Sequence, residues 1–379
     1  MRDSAGFTPV FPAPRRLQGT PGRHHGQRSG DPRSQRGRMI ASQVVTSRPA
    51  RNLAVDLDEP LRGFVPPPRF GTTSFGSFVP AHPSQAAARD RVTSFTASIG
   101  PRRQPRLRLP WMAGEAAGYG LYLDGGFGVG KTHLLAAAWH ASELPEPKKR
   151  YLSFQELAYL LGVLGPERAA VAFAEVRLVC LDEFELDDPG NTLLIARFLK
   201  GAFQRGTSVL TTSNTDPEAQ GQGRFAAADF QREIQGIASS FEVLAIDGPD
   251  HRADLEDPGF TALDVLLAIA SEGKQRVRHV AFRTLLDELE EHHPIHYRRL
   301  VRDLDVLLVD DVTPLPDQNA ALRFVHFIDK VYDLGVHLRA TGAMQIEEVF
   351  APSYRNGAYA KKHHRCVSRL RELLSEPIV

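Results

Sequence analysis

From residue 119 onward, short apolar runs alternate with longer helix-prone segments. The short runs consist almost entirely of Val, Leu, Ile and Cys, which is typical of strands buried on both faces of a sheet. Such an alternation predicts an α/β fold, in which helices flank a parallel sheet on both sides. The predicted strands are residues 119–123, 150–154, 176–181, 208–212 and 241–246, and the predicted helices are residues 131–142, 155–164, 192–204 and 225–240.

Residues 125–132 match the phosphate-binding motif G-x-x-x-x-G-K-[ST] and lie between a predicted strand and a predicted helix. The glycines let successive backbone N–H groups point at a phosphate, and the start of the following helix adds a favourable dipole. In such a loop Lys131 reaches the β- and γ-phosphate oxygens, and the Thr132 hydroxyl ligates Mg²⁺. The sequence therefore predicts an ATP and Mg²⁺ site whose nucleotide-binding residues are Gly125, Gly126, Phe127, Gly128, Val129, Gly130, Lys131, Thr132 and His133.

An apolar strand ending in two carboxylates, Asp182 and Glu183, follows about 50 residues after the lysine, which is a Walker B pattern. Asp182 is predicted to hold Mg²⁺ together with Thr132. The adjacent Glu183 is predicted to polarise the attacking water as a general base. Acidic residues often end strands, so this interpretation depends on the phosphate loop that precedes them.

Asn214 follows the next predicted strand and is our candidate for the residue that hydrogen-bonds both the γ-phosphate and the water, with Ser213 as the second choice. ATPases that work as oligomers also need a cation from a neighbouring subunit at the γ-phosphate. Arg224 directly precedes, and Arg232 lies within, the predicted helix 225–240, from which such an arginine finger is presented. The sequence does not choose between these two arginines.

The second half of the chain repeats the pattern of the first at a shift of 128 residues. Two explanations stay open, a degenerate duplication and a second strand-helix-strand unit of similar layout. Residues 249–278 contain no phosphate-loop motif, so the second unit is not expected to bind phosphates in the same way. The shift places His279 to Phe282 on Tyr151 to Phe154, Asp310-Asp311 on Asp182-Glu183, Asn319 on Asn191, and Ala340-Thr341 on Thr212-Ser213.

Three regions are predicted in the 379 residues: a disordered basic arm and linker (1–60), an ATPase domain (61–248) and a carboxyl-terminal α/β domain (249–379). Residues 1–40 carry eight arginines against two aspartates and lack apolar periodicity. Met39 leaves open that translation starts after most of this arm. The chain has no signal-like or membrane-spanning run and only two cysteines, so we expect a cytoplasmic protein without a disulfide framework or zinc site.

Together these residues resemble the ZapE cell-division ATPases, an AAA+ family related to mitochondrial quality-control ATPases. The resemblance covers roughly residues 60–375 and leaves out the basic arm. The segment Glu185 to Asp188 departs from the family by adding acidic residues after the Walker B strand. The motifs that carry the resemblance are the Lys131 loop, residues 181–184, 212–214, 323–329 and 365–370, and the amino-terminal segments 66–70 and 83–85.

The resemblance implies ATP hydrolysis coupled to remodelling of the FtsZ division ring, with FtsZ or another division protein as partner, at the septum and near the inner face of the membrane. It also implies a homo-oligomer. By the same resemblance Arg369, and less strongly Arg365, are sensor 2-like residues that contact nucleotide from the carboxyl-terminal part of the chain. None of these implications comes from composition or spacing.

Two other readings compete with this one. Helicase loaders and transposition helpers share a Gly-Lys-Thr-His-Leu loop and a Thr-Ser-Asn strand end, and they act on DNA. The basic stretches of this chain are short and have few interleaved aromatic residues, so the sequence gives no firm nucleic-acid signal. A scaffold that binds ATP without turnover is the other reading, and the presence of Lys131, Asp182, Glu183 and Asn214 argues against it.

Overall fold

The computed structural model describes residues 64–100, 118–186, 189–220, 230–251, 258–261, 276–355, 357 and 359–378. The predicted arm and almost all of the linker lie outside these described residues, and so does Arg224. No helix in this described part of the chain is both long enough and apolar enough to cross a bilayer. Cys180 and Cys366 are buried free thiols.

Five parallel strands form the first sheet, and each lies within two residues of its predicted bounds: β1 Gly120–Gly125, β2 Lys149–Ser153, β3 Leu178–Asp182, β4 Ser208–Ser213 and β5 Phe241–Ile246. Their order across the sheet is β2-β3-β4-β1-β5. The predicted α/β fold with a parallel sheet is confirmed. The helices of this half are α1 Pro83–Ser98, α2 Lys131–Ala141, α3 Phe154–Ala172, α4 Pro189–Gln204 and α5 Gln231–Ala238.

Strand β1 shows how the apolar core covers both faces of this sheet. Leu121 and Leu123 pack in one apolar layer with side chains of α1 and α2. Tyr122, between them, points to the other face and packs with side chains of α3, α4 and α5. Because the strands run parallel, the carboxyl ends of the central strands deliver polar residues to one edge of the sheet.

Helix α3 extends beyond its predicted end at residue 164. Its first turn is capped reciprocally, since Ser153 Oγ accepts from Glu156 N–H at 3.3 Å and the Glu156 carboxylate accepts from Ser153 N–H at 2.9 Å. Gly165, with φ 73°, interrupts the helix before Pro166. Helical structure then continues to Ala172, because proline is tolerated in the first turn of the new segment.

The second parallel sheet has three strands in the order of the chain: β6 Val277–Ala281, β7 Val306–Val312 and β8 His337–Gly342. Its apolar core lies against helix α8 (Gln318–Leu334) and helix α10 (Ala360–Ser375), which contribute Phe324 and Ile328, and Leu370 and Leu373, to one cluster. The helices of this half are α6 Phe282–Glu291, α7 Arg298–Val301, α8 Gln318–Leu334, α9 Pro352–Arg355 and α10 Ala360–Ser375.

The two halves share a strand-helix-strand-helix-strand layout, and the first two strands of each half pair in the same register. Strand β2 pairs with β3, and β6 with β7, at the same separation along the chain. The separation between β7 and β8 is one residue longer than that between β3 and β4, so Thr341 occupies the place of Thr212. Accordingly, Glu183 N–H donates to Thr212 Oγ1 at 3.0 Å and Asp311 N–H donates to Thr341 Oγ1 at 2.8 Å. Both explanations of the repeat are compatible with this correspondence.

The segment before α1 connects the two sheets. The carbonyl of Phe64 accepts from Tyr151 N–H on β2 at 2.8 Å. A single 3₁₀ turn, Pro68–Phe70, follows. The Arg69 guanidinium then lies 3.9 Å from the ring centroid of Tyr332 on α8 and 2.6 Å from a Glu372 oxygen on α10. Helices α8 and α10 are thereby held beside the carboxyl ends of β2 and β3.

Candidate nucleotide site

The loop between β1 and α2 has a backbone that only glycine adopts readily. Gly128 and Gly130 have φ values of 66° and 89°. A Cβ atom at Gly128 would lie 1.6 Å from Asp250 Oδ1, and one at Gly130 would lie 2.5 Å from Phe78 Cε2. The chain therefore winds tightly into the amino terminus of α2, which is the shape needed to present backbone N–H groups to a phosphate.

Lys131 is the first residue of α2 and is 8% exposed. Its ammonium group donates to the Gly125 carbonyl at 2.9 Å and to the Gly126 carbonyl. It also donates to Asn214 Oδ1 at 2.9 Å. Strands β1 and β4 are neighbours that end at the same level, which brings the predicted phosphate-binding lysine next to Asn214, the candidate for contacting the γ-phosphate and the water.

Thr132 and Asp182 meet across the same edge, with Thr132 Oγ1 3.3 Å from Asp182 Oδ1. Asp182 also accepts from the Thr212 hydroxyl and, at 3.3 Å, from the Tyr151 hydroxyl. Burial, and next the Glu183 carboxylate, raise the pKa of Asp182. A hydroxyl and a carboxylate at this spacing fit Mg²⁺, whose charge would offset the burial of the carboxylate.

Glu183 directly follows β3 and has a left-handed backbone with φ 57°. This conformation costs a non-glycine residue about 1–2 kcal/mol. Its N–H group is held by Thr212 Oγ1 at 3.0 Å and by Asp182 Oδ1 at 3.2 Å. The bend turns the carboxylate away from the sheet and towards α10, where Arg369 Nη2 lies 2.9 Å from one oxygen and Arg365 Nη1 lies 3.1 Å from the other.

Arg365 and Arg369 were expected to contact nucleotide, and in the structure their guanidinium groups contact Glu183 and Asp329. Arg365 Nη2 lies 2.8 Å from one Asp329 oxygen, and Arg369 Nη1 donates to the other. Burial would raise the pKa of Asp329, but Arg365 and Arg369 outweigh burial and hold that pKa well below its usual range. Sequence reasoning missed Asp329. Its apolar neighbours Phe327, Ile328 and Val331 place it on the buried face of α8, and a carboxylate in such a position indicates a cationic partner.

The remaining predicted residues have different surroundings. The His133 ring hydrogen-bonds Ser77 Oγ at 3.1 Å and the Ser74 carbonyl at 3.0 Å, so the segment before α1 lies beside the loop. Ser213 donates to the Phe184 carbonyl at 2.8 Å and is buried within the strand end. Arg232 is exposed on α5. The role of each as a site residue remains a prediction, as does that of Arg224, which lies outside the described residues.

Gln220 is a second residue that sequence reasoning missed. Its buried side chain accepts from Leu186 N–H at 2.9 Å and donates to the Tyr122 hydroxyl at 3.0 Å and to Ser213 Oγ at 3.1 Å. These contacts fix the segment after Glu183 against the ends of β1 and β4. Glutamines are mostly exposed in folded proteins, so nothing in the sequence singled this one out.

Comparison with known proteins identifies the family. The model of the AFG1-like ATPase family matches residues 76–263 and 266–379. The cell division protein ZapE of Escherichia coli strain K12 is 28% identical over 300 residues, which cover 68% of this chain and 78% of the relative. An uncharacterised protein of Schizosaccharomyces pombe is 23% identical over 288 residues, covering 62% of this chain and 63% of that protein.

Among solved structures, the DnaC helicase loader matches with 20% identity and a TM-score of 0.36, over 48% of this chain and 99% of that one. The AMPPCP-bound DnaA of Aquifex aeolicus matches with 12% identity and a TM-score of 0.37, over 79% of this chain and 90% of that one. Likenesses this low say nothing about what the chain acts on. The family match instead covers most of the chain and includes the phosphate loop, Asp182, Glu183 and the carboxyl-terminal helix. The chain therefore belongs to the AFG1-like ATPase family and is a nucleotide-binding ATPase.

Proposed function

We propose that this chain hydrolyses ATP with Mg²⁺ at the edge formed by Lys131, Thr132, Asp182 and Glu183, and that it uses this energy to remodel the FtsZ division ring. The observation that carries the chemistry is the 3.3 Å contact between Thr132 and Asp182, which joins the phosphate loop to the acidic strand end. The cell-division name of the Escherichia coli relative supports the choice of client.

Each group has a distinct task in the proposed reaction. The loop N–H groups and the Lys131 ammonium bind the phosphates, while Thr132 and Asp182 hold the metal. Mg²⁺, when bound, neutralises phosphate charge. The Asn214 amide, which already lies 2.9 Å from the Lys131 ammonium, orients the water. A Glu183 oxygen takes the proton of that water, so this carboxylate must be free of its two arginines at that moment.

The wider assembly is part of the same proposal. A homo-oligomer would allow Arg232 or Arg224 of a neighbouring copy to stabilise charge at the γ-phosphate. Arg369 would contact the nucleotide once it leaves Glu183. A protein acting on the division ring works in the cytoplasm at the septum, close to the inner face of the membrane. The resemblance and the name of the relative support this placement.

Phosphate release and client capture test the proposal with one variant. Glu183→Gln should bind ATP as the wild type does and lose hydrolysis, because the amide cannot accept the proton. Held in ATP, this variant should retain FtsZ in a pull-down from cell extract. Glu242→Gln is the matched control, since Glu242 lies on the edge strand β5 and pairs with exposed Arg91.

The outcomes separate the parts of the proposal. Turnover by Glu183→Gln at the wild-type rate would overturn the assignment of the base. Recovery of a replicative helicase in place of FtsZ would overturn the client and favour a helicase-loader function. Hydrolysis by Glu242→Gln should equal that of the wild type, and this control should retain neither protein.

A further inference from the structure

A closed ring of four charged side chains, three of them buried, joins the Walker B strand to the carboxyl-terminal helices. Arg365 bridges Asp329 at 2.8 Å and Glu183 at 3.1 Å. Arg369 bridges Asp329 and, at 2.9 Å, Glu183. The side chains of both arginines and Asp329 are at most 9% exposed, whereas that of Glu183 is 23% exposed. Each guanidinium therefore contacts both carboxylates, and each carboxylate contacts both guanidiniums.

This ring occupies the carboxylate on which the reaction depends. Both Glu183 oxygens face guanidinium N–H groups, and such charge-assisted pairs are stronger than the hydrogen bond of a water molecule. Two guanidinium groups stabilise the ionised carboxylate, so it is a weaker base, and they occupy the lone pairs that face α10. The left-handed backbone at Glu183 fixes its direction towards α10.

Asp329 anchors the arginines from the opposite side. It lies on the buried face of α8, and the next residue, Lys330, pairs with Glu156 of α3 at 3.1 Å. Helix α8 is thereby tied to the first turn of the helix that follows β2. The arginines belong to α10, so the ring depends on the relative placement of α8 and α10.

Two further observations concern the surroundings of α10. The Nε groups of Arg365 and Arg369 are buried and have no hydrogen-bond partner among the described residues. Buried N–H groups without acceptors carry a free-energy cost that other arrangements can relieve. At the amino-terminal end of the same helix, Lys361 donates to the Asn214 carbonyl at 3.0 Å and to Thr215 Oγ1 at 2.9 Å. A shift of α10 would therefore change the surroundings of both Glu183 and Asn214.

We infer that Arg365 and Arg369 form an inhibitory clamp on Glu183, that Asp329 is the positioning residue of this clamp, and that a shift of α10 relative to α8 releases the carboxylate for catalysis. The inference rests on the proposed role of Glu183 as the base. It assigns the carboxyl-terminal helices a regulatory task, because a client that moves α10 would raise turnover.

Steady-state ATPase measurements on the double variant Arg365→Gln with Asp329→Asn test the clamp. The variant removes one charge of each sign and leaves the pair of Arg369 and Glu183. We expect kcat to rise at least threefold with KM for ATP unchanged, because one Glu183 oxygen is freed. Arg371→Gln is the matched control, since Arg371 lies on the same helix but pairs with Glu347, and its kcat should equal that of the wild type.

A second measurement keeps the test decisive if the double variant does not fold. Amide hydrogen exchange of residues 360–375 in the wild type should speed up at least threefold when Mg²⁺ and AMPPCP are added, because the phosphate oxygens offer Arg369 an alternative acceptor. Equal or slower exchange would overturn the release step. A folded double variant with unchanged or reduced kcat would overturn the inhibitory clamp.

Glu183→Gln, measured in parallel, separates the two levels of the argument. If that variant turns over ATP like the wild type, the proposed role of Glu183 fails, and the clamp fails with it. If it is inactive while the double variant shows no gain, only the clamp fails.

Discussion

The buried ring predicts a strong energetic coupling between Asp329 and Arg365. Asp329 accepts hydrogen bonds from both arginines, and a hydrogen bond to a charged group contributes about 1.5–3 kcal/mol. Removing one member of a buried ion pair costs about 3–5 kcal/mol, since the other charge stays buried without compensation. We therefore expect Asp329→Asn and Arg365→Gln each to lower the free energy of unfolding by about 3–5 kcal/mol.

The double variant should be more stable than the sum of these losses implies. Removing both partners leaves no uncompensated charge at this contact, so the two effects should fall short of additivity by about 1–3 kcal/mol. Urea unfolding followed by circular dichroism measures the four free energies, provided that the dependence on urea concentration is the same in all four proteins. Additivity within about 0.5 kcal/mol would refute the reasoning.

A surface pair provides the control cycle. Arg276 and Asp305 form a contact of 2.7 Å whose side chains are 64% and 39% exposed. Solvent screens such pairs, and ordering two long side chains offsets much of their attraction. Asp305→Asn combined with Arg276→Gln should therefore show a coupling much smaller than that of the buried pair.

Three further predictions concern binding, backbone and pH. Lys131→Ala should lose ATP affinity at least 100-fold in a fluorescent-nucleotide titration, and affinity within threefold of the wild type would contradict the assigned phosphate contact. Gly130→Ala should lower the free energy of unfolding by about 1–2 kcal/mol or more because of its positive φ, whereas Gly162→Ala, inside α3 with open space around it, should not destabilise the protein. Burial outweighs the opposing charges of Arg369 and Lys330 and raises the pKa of Asp333 to about 7, so the contribution of Asp333 to stability falls as the pH rises from about 4 to 7. Asp333→Asn should thus gain stability over the wild type at pH 8 and lose this advantage below pH 4, while Asp303→Asn, at an exposed side chain, should gain nothing.

The fold could be predicted because its strands are short apolar runs buried on both faces. Leu178 to Leu181, for example, have no exposed surface, and no polar residue interrupts the run. The end of α3 was predicted at residue 164, which is too early. In the structure Pro166 begins a new helical segment after Gly165, and Ala169 anchors the segment in the core. Local propensity alone could not show this continuation.

The sequence predicted those parts of the candidate site that lie at the carboxyl ends of neighbouring strands. Lys131, Thr132, Asp182 and Asn214 each lie next to the carboxyl end of a parallel strand, and such ends meet at one edge of a sheet. The structure adds their contacts to that expectation. Their roles in binding and catalysis stay predictions.

The contacts of Glu183 with the carboxyl-terminal helix could not be predicted from the sequence. Its partner Arg369 is 186 residues away along the chain, and periodicity does not reveal which helix faces which strand end. The resemblance implied that Arg369 contacts the nucleotide, and its contact with Asp329 was therefore not predicted. The role of Arg232 could not be predicted for a different reason. An exposed arginine on a helix can act as an arginine finger only in a neighbouring copy, and neither its sequence position nor a single chain tests that contact.

The matching bends at Glu183 and Asp311 bear on how acidic strand ends should be interpreted in other chains. Asp311 adopts φ 54°, and its N–H donates to a threonine hydroxyl as that of Glu183 does. The sequence before its sheet, residues 249–278, nevertheless lacks the phosphate-loop motif. The left-handed acidic residue after the strand is therefore a structural feature of this strand-and-helix unit, present with or without a phosphate loop. An acidic strand end can serve ATP hydrolysis only where a glycine-rich phosphate loop lies beside it. A search for new ATPases should therefore require the phosphate loop first and the acidic residues second.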